Sequence, residues 1–429
     1  MIAPTLIKKD TARKLRDQSL QKLLAPLALV LIYLFFGFFG RNFFTYTMLV
    51  NILDASYYIG FLSLGVTFVI ITGGIDLSVG TVAMCAAIVG GTAFRTWGWA
   101  MAPSLLLIMG VAIAFGIFNG LMVAKLKLPP FIATLGTMMI SMGVGSIVSN
   151  VRSAAFPPRT DASGWFRDIF KIITPERTSI PTGALVLFGA TIIFHIILTR
   201  TRMGRYIFAI GSNKEAARLS GVSVDRWEMA AYIISGFAAG ISGVAFAAIY
   251  TTVMPAQGQG FELFAIAGAV IGGTSLSGGV GSVFGTLIGV FIMAVLRSGL
   301  PSMNLQAHYQ TFFTGVVVIG AVLLDIYRNK KVSEVKIQTA ADQYKASMVD
   351  KISSLKQRLS SERAQLTSEQ AGALRSEIRG LQKELKENFK RMKAEEKEEA
   401  ARIQAEEKAA EREFRELLKQ DSHKGEAEA

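Results

Sequence analysis

Between Leu23 and Tyr327 the chain runs through apolar stretches of about 18 to 25 residues separated by short polar breaks. That length carries an α-helix across a hydrocarbon layer of roughly 30 Å. Ten spans are predicted, near residues 23–40, 48–72, 78–95, 101–124, 131–150, 181–199, 229–251, 261–277, 281–300 and 309–327. In lipid every backbone amide must find its partner within its own segment, so such runs fold as helices. The ten-residue alternation of a membrane barrel is absent. The expected fold is therefore all-α, a polytopic membrane bundle of about ten transmembrane helices.

The pattern changes after Tyr327. Residues 332–429 are rich in Ala, Glu, Lys, Arg and Gln and contain no proline. Ile352, Leu355, Leu359 and Leu366 recur at three-four spacing, as do Leu374, Ile378, Leu381 and Leu385. This predicts amphipathic helix, either two helices folded back near Thr367–Gly372 or a short coiled coil. From Met392 onward the apolar stripe thins and a solitary solvated helix is expected. Three parts follow: a cytoplasmic N-terminal segment, 1–22; a transmembrane domain, 23–328; and a cytoplasmic helical tail, 329–429.

Composition agrees with membrane insertion: 51% of the 429 residues are hydrophobic and the mean hydropathy is +0.41. The net charge of +13 does not point to nucleic acid. Residues 330–429 hold 22 Lys/Arg against 20 Asp/Glu, so most of the excess lies in short loops of the apolar part. Lys8, Lys9, Arg13, Lys14 and Arg16 precede the first span, and Lys125 and Lys127 follow the fourth. Arg200, Arg202, Arg205, Lys214, Arg218 and Arg226 lie between the sixth and seventh, and Arg328, Lys330 and Lys331 follow the tenth. All four clusters share one side if both termini are cytoplasmic, as the positive-inside rule requires. Residues 1–22 lack a signal-peptide cleavage pattern, so the first apolar run reads as a retained span of an inner-membrane protein. A single cysteine, Cys85, excludes an intramolecular disulfide.

Two passages share G-G-x-x-L-S, 199 residues apart: Gly73-Gly74-Ile75-Asp76-Leu77-Ser78 and Gly272-Gly273-Thr274-Ser275-Leu276-Ser277. Each falls between two apolar segments, as an internal duplication in a transporter would place them. Glycine also serves close helix packing, which is the plainer reading. Irregular backbone at membrane depth persists only where protein or water covers it, and an ionisable residue there is a functional candidate. Asp76 is that residue; alternatively or additionally it caps the following helix. Thr72, Asp76, Ser78, Asn119, Thr274, Ser275 and Ser277 are the candidate lining of a translocation pathway.

Between the sixth and seventh spans, Ser212-Asn213 followed by Lys214-Glu215-Ala216-Ala217-Arg218-Leu219 reads as a capped short helix ending at Gly221. Its apolar side needs a partner, either a cytoplasmic protein or the lipid surface. The connection from Val151 to Ile180 carries Pro157, Pro158 and Pro175, with Trp165 and Phe166 suited to an interface. It is expected to be a lid or spacer, or a docking surface for an external partner.

Asn51, Asp54, Asn119, Glu262, Arg297 and Asp325 are the other main polar groups in the apolar part. Asn119 suits interhelical hydrogen bonding, Glu262 a helix N-terminus, and Arg297 and Asp325 the interface. His195 and His308 have no companions at metal-ligand spacing. No nucleophile–base set occurs, so an enzyme is not expected. The dipeptide Gly-Lys occurs nowhere, which excludes a P-loop in this chain.

Three segments, I-T-G-G-I-D-L-S-V-G, A-I-G-S-N-K-E-A-A-R-L-S-G-V and V-I-G-G-T-S-L-S-G-G-V-G-S-V-F-G-T, resemble the marker segments of ribose/galactose/xylose-type ABC transporter permeases. The resemblance runs from about Leu23 to Arg328 and includes Leu128–Thr137; the long tail departs from it. It implies a subunit that pairs with a second copy or a homologous permease to form the pathway for a monosaccharide of the galactose, glucose, ribose or xylose class. It implies that a cytoplasmic P-loop ATPase, which binds ATP and magnesium, engages Asn213–Val222 through Asn213, Glu215, Ala216, Ala217, Arg218, Leu219, Ser220 and Gly221. A periplasmic or lipid-anchored sugar-binding protein would deliver the solute; no cofactor, metal or nucleic acid is expected on this chain. The alternatives are an ion-coupled secondary transporter using Asp54 or Asp76, and a membrane scaffold or receptor working through its helical tail.

Overall fold

A computed structural model describes residues 25–334, 340–361 and 368–427. The basic cluster before the first span and Leu366 lie outside the described residues. Among them ten apolar helices occupy the ten predicted spans. They are α1 (Ala25–Phe39), α2 (Tyr46–Ile71), α3 (Val79–Arg95), α4 (Met101–Gly120), α5 (Pro130–Val148), α6 (Gly183–Arg200), α9 (Val224–Tyr250), α10 (Phe261–Ile271), α11 (Val283–Ser302) and α12 (Ala307–Glu334). Between α6 and α9 stand α7 (Arg202–Ser212) and α8 (Lys214–Leu219). The spacing predicts α8; α7, in which seven apolar or glycine positions accompany Arg202 and Arg205, is a finding of the structure.

Six of these helices are long and apolar enough to cross a membrane. At 1.5 Å per residue, the 11 residues of α10 reach only about 16 Å, half a hydrocarbon layer. The span predicted over 261–277 is thus a half-helix followed by an irregular turn. Its chain leaves the helix at Gly272, where the repeated motif begins.

The helices sort by burial. The apolar window of α2 is wholly buried, enclosed by α6, α9, α10 and α11. By contrast only about a third of the apolar windows of α4, α5 and α6 is buried. Leu106, Ile147 and Leu185 point outward from them. A helix apolar all round belongs inside a bundle or against lipid, and here both cases occur. Serine and threonine hydroxyls fill the interior by bonding back to their own helices, as Ser63 does to Ile59 O (2.9 Å) and Thr67 to Ser63 O (2.7 Å).

Contacts between connections divide them into two sets. Arg41 N–H donates to Ser302 O, Tyr46 OH to Ser179 O, and Phe156 N–H to Thr251 O. These join the connections after the first, fifth, seventh and ninth apolar helices. On the other side Lys127 pairs with Asp225, and Gly279 N–H donates to Ile71 O. These join the connections after the second, fourth, sixth and eighth. These contacts group the connections odd with odd and even with even.

The 151–180 connection is folded. Strand β1 (Ala154–Ala155) pairs antiparallel with β4 (Thr252–Val253), and β2 (Ile172–Ile173) with β3 (Ser179–Ile180). A 3-10 turn over Ala162–Ile169 buries Arg167, whose Nε donates to Ala248 O at 2.9 Å. Burial lowers the Arg167 pKa from its ordinary value, and Arg159 adds to that effect. Trp165 is exposed as an interfacial residue should be, but Phe166 is fully buried against Phe156.

The chain divides between Tyr327 and Arg328 into two compact units. In the second, α13 (Ala340–Ser361) and α14 (Ser368–Ala427) form an antiparallel hairpin. Ala341 N–H donates to Glu396 Oε1, Asn388 Nδ2 to Tyr344 OH, and Ile352 and Ile378 are buried. The three-four stripe is the seam of this pair.

Candidate functional site

Both G-G-x-x-L-S passages begin by ending a helix in the same way. After α2, Gly73 takes φ +83°, its N–H donates to Ile70 O, and Gly74 N–H reaches back to Val69 O. After α10, Gly273 takes φ +94°, its N–H donates to Val270 O, and Thr274 N–H reaches Ala269 O. This is a Schellman closure, and the left-handed position suits glycine because no Cβ clashes there. The two closures are 200 residues apart although the motifs are 199 apart. Gly73 therefore matches Gly273 in shape but Gly272 in sequence.

The side chains then diverge from a common start. Asp76 Oδ1 accepts from Ser78 N–H at 3.0 Å and from Ser78 Oγ at 2.7 Å, and Asp76 Oδ2 accepts from Ser235 Oγ at 2.8 Å. Asn119 Nδ2 donates to Ser78 Oγ at 2.8 Å. Asp76, Ser78, Asn119 and Ser235 are buried, and the crevice they line has no room for a water. Asp76 closes a tight turn ahead of α3, whose own cap position is Ser78. The helix-capping expectation is thus met only in part. Asn119 does bridge helices, yet its Oδ1 is buried and accepts no hydrogen bond. Tyr232 OH donates to Ile75 O at 3.4 Å, so α9 holds this break through two residues one turn apart.

At the second break Ser275 Oγ accepts from Ser277 N–H at 3.2 Å. The carboxylate comes from elsewhere: Asp325 Oδ2 on α12 accepts from Ser275 Oγ and Leu276 N–H, both at 3.1 Å. Asp325 is turned inward to this break and does not reach for an interface. Arg297 also stays inside, with its guanidinium 5.2 to 5.6 Å from the ring centres of Tyr58, Phe261 and Phe264. Glu262 accepts from Gly260 N–H at 2.9 and 3.0 Å, at the start of α10. Thr72 Oγ1 bonds to Val69 O, and Thr274 is buried with no partner for its hydroxyl. Of the seven candidate lining residues, the structure gathers Asp76, Ser78 and Asn119; Thr274, Ser275 and Ser277 belong to the other break.

The two breaks meet. Gly279 N–H donates to Ile71 O, and Gly211 at the end of α7 lies against both residues. A Cβ at Gly211 would collide with Ile71 O and Gly279 N, so only glycine permits this junction.

Immediately beyond it, Asn213 Oδ1 accepts from Ala216 N–H at 2.9 Å and starts α8; Gly221, at φ +81°, follows its end. Ala217 is the buried residue of α8, packed with Ile210 and Val224. Glu215 and Arg218 pair with each other on the exposed side at 3.0 Å, and Ala216 and Ser220 are exposed there too. Leu219 is 89% exposed, the most of any large apolar side chain among the described residues. Sequence reasoning missed Ser235, Tyr232, Glu228 and Gly211. The first three lie seven residues apart or less on one long apolar helix, which gives no local signal.

The family described as "Branched-chain amino acid transport system / permease component" matches residues 48–322. The chain is 36% identical over 308 residues to the ribose import permease protein RbsC of Escherichia coli (strain K12), covering 71% of this chain and 92% of that protein. It is 34% identical over 317 residues to RbsC of Bacillus subtilis (strain 168), covering 72% and 94%. To the fructose import permease protein FrcC of Rhizobium meliloti it is 33% identical over 308 residues, covering 71% and 85%.

Proposed function

The chain belongs to this family of permease components and is a multi-pass transport permease, and from that premise we propose that it imports a monosaccharide using ATP hydrolysed by a partner. The sugar assignment follows from relatives named for ribose and fructose import. The coupling assignment rests on one observation, a capped helix that presents Leu219 almost wholly to solvent. Covering such a side chain removes its apolar surface from water and so favours a protein that docks there. That protein is a cytoplasmic P-loop ATPase holding ATP and magnesium; the basic residues beside α8 support a cytoplasmic position for this face, and both termini lie on the same side in this reading. On the opposite face, the folded 151–180 segment receives a sugar-binding protein, and a second permease copy or homologue completes the pathway in the inner membrane.

The test uses proteoliposomes containing the full chain, the ATPase that co-purifies with it from native membranes, and the corresponding binding protein. ATP-dependent uptake of radiolabelled ribose or fructose, insensitive to collapse of ion gradients, is the expected result. Uptake of leucine in place of sugar overturns the cargo assignment. Gradient-driven uptake by the chain alone overturns the ATP assignment.

A further inference from the structure

α8 is distant in sequence from the first helix break, yet one ion pair and one helix face join them. Lys214, the first residue of α8, donates from Nζ to Glu228 Oε1 at 2.6 Å. Glu228 is buried on the second turn of α9, and its Oε2 accepts no hydrogen bond. Taking a carboxylate out of water is costly unless a cation accompanies it, and removing one partner of such a pair strands the other. Glu228 therefore has reason to follow Lys214 when α8 moves.

Four and seven residues further along α9 stand Tyr232 and Ser235, on the same face. Tyr232 OH donates to Ile75 O and Ser235 Oγ to Asp76 Oδ2. Seven residues of unbroken helix span about 10 Å and transmit a displacement with little loss. Lys214 is only partly covered, whereas Glu228, Tyr232 and Ser235 are buried. The route thus begins at the surface and ends at the buried carboxylate.

We propose that Glu228 is a positioning residue which, held by Lys214, carries movement of α8 along α9 to the Asp76 break. This rests on the reading of α8 as the ATPase-docking surface. A charge pair serving only to fold the loop would lower stability and assembly together with transport. A transmitting pair separates them.

The experiment uses the reconstituted complex of full chain, co-purifying ATPase and binding protein. Its measurements are the amount of ATPase retained, ATP hydrolysis and sugar transported per ATP. For Glu228→Gln the expected result is a retained ATPase that still hydrolyses ATP, with at least about a fivefold fall in sugar transported per ATP, the low end of typical coupling between sites. The exchange Lys214→Glu with Glu228→Lys should recover part of that ratio. Ser235→Ala, which leaves the ion pair intact, should show the same fall. An unchanged ratio in Glu228→Gln, or a loss that follows the amount of assembled complex, overturns the inference. If Glu228→Gln does not assemble, an unchanged ratio in Ser235→Ala overturns it. Disulfide capture of the ATPase by Leu219→Cys tests the docking reading separately: capture with silent Glu228 and Ser235 variants sinks this inference alone, and failed capture sinks the docking reading.

Discussion

Asp76 and Ser275 stand at the same place in two copies of one motif and close the same turn, each accepting the backbone amide two residues on, at 3.0 and 3.2 Å. The copies differ in where their carboxylate comes from. In the first it is the turn residue itself; in the second Asp325 brings it from α12. The first break is consequently fastened by α9, the second by α12.

Replacing Asp76 therefore has graded outcomes. Asp76→Ala removes the acceptor of three hydrogen bonds in a closed crevice. Stranded buried donors cost about 1–3 kcal/mol each, so unfolding in detergent should show a loss of about 3 kcal/mol or more. Asp76→Ser installs the second copy's solution, which keeps the turn but not the link to Ser235, and should lose about half as much. Equal losses in the two variants would contradict the equivalence of the turns.

Much of this was legible in the chain itself. Ten apolar runs and the basic loops predicted ten helices, and Asn213 with Gly221 predicted α8 to within its ends. Two things were not. The half-length of α10 was hidden because the apolar character runs on to Ser277 past Gly272 and Gly273, and hydropathy does not register where the backbone leaves the helix. Ser235 and Glu228 were hidden because a helix buried on most sides shows no polar face. Their partners Asp76 and Lys214 are 159 and 14 residues away, and only folding brings them within reach.

Gly211 offers a second test. A methyl group there meets the Ile71 carbonyl and the Gly279 amide, so Gly211→Ala must push α7 away from both breaks. Overpacking of this kind typically costs about 1–3 kcal/mol. Gly143→Ala, where an added Cβ meets nothing within 4 Å, is the control and should be neutral or slightly stabilising. Thermal unfolding of both variants in detergent decides the matter; a Gly211→Ala protein as stable as Gly143→Ala would mean that the junction yields freely.

The cap of α8 is local. Asn213→Ala removes the acceptor of the Ala216 amide and should cost about 0.5–2 kcal/mol of helix stability. Because α8 buries only Ala217, this loss should raise hydrogen exchange at Ala216, Ala217 and Arg218 without lowering the melting temperature of the bundle. If exchange there is unchanged, α8 owes its form to packing and not to its cap.

The ion pair between Lys171 and Asp54 gives the sharpest stability contrast. Lys171 reaches from the folded 151–180 segment to Asp54 on α2, with Nζ and Oδ2 2.5 Å apart and side chains 18% and 8% exposed. Asp54 Oδ1 is buried and accepts no hydrogen bond, so the lysine is the group that compensates this carboxylate. Breaking a buried pair by removing one partner typically costs about 3–5 kcal/mol, whereas replacing both with apolar groups is often neutral or better. Lys171→Met should therefore destabilise strongly and free the segment from α2, making the bond after exposed Arg177 an easier target for trypsin. Asp54→Leu in the Lys171→Met background should recover most of that stability. The coupling energy from the double-mutant cycle should be of order 2–4 kcal/mol and nearly independent of salt, because a covered pair is poorly screened. Additive effects, or a coupling that vanishes in 1 M salt, would show instead that the pair is a surface contact and that the segment is held by Arg167 on the Ala248 carbonyl.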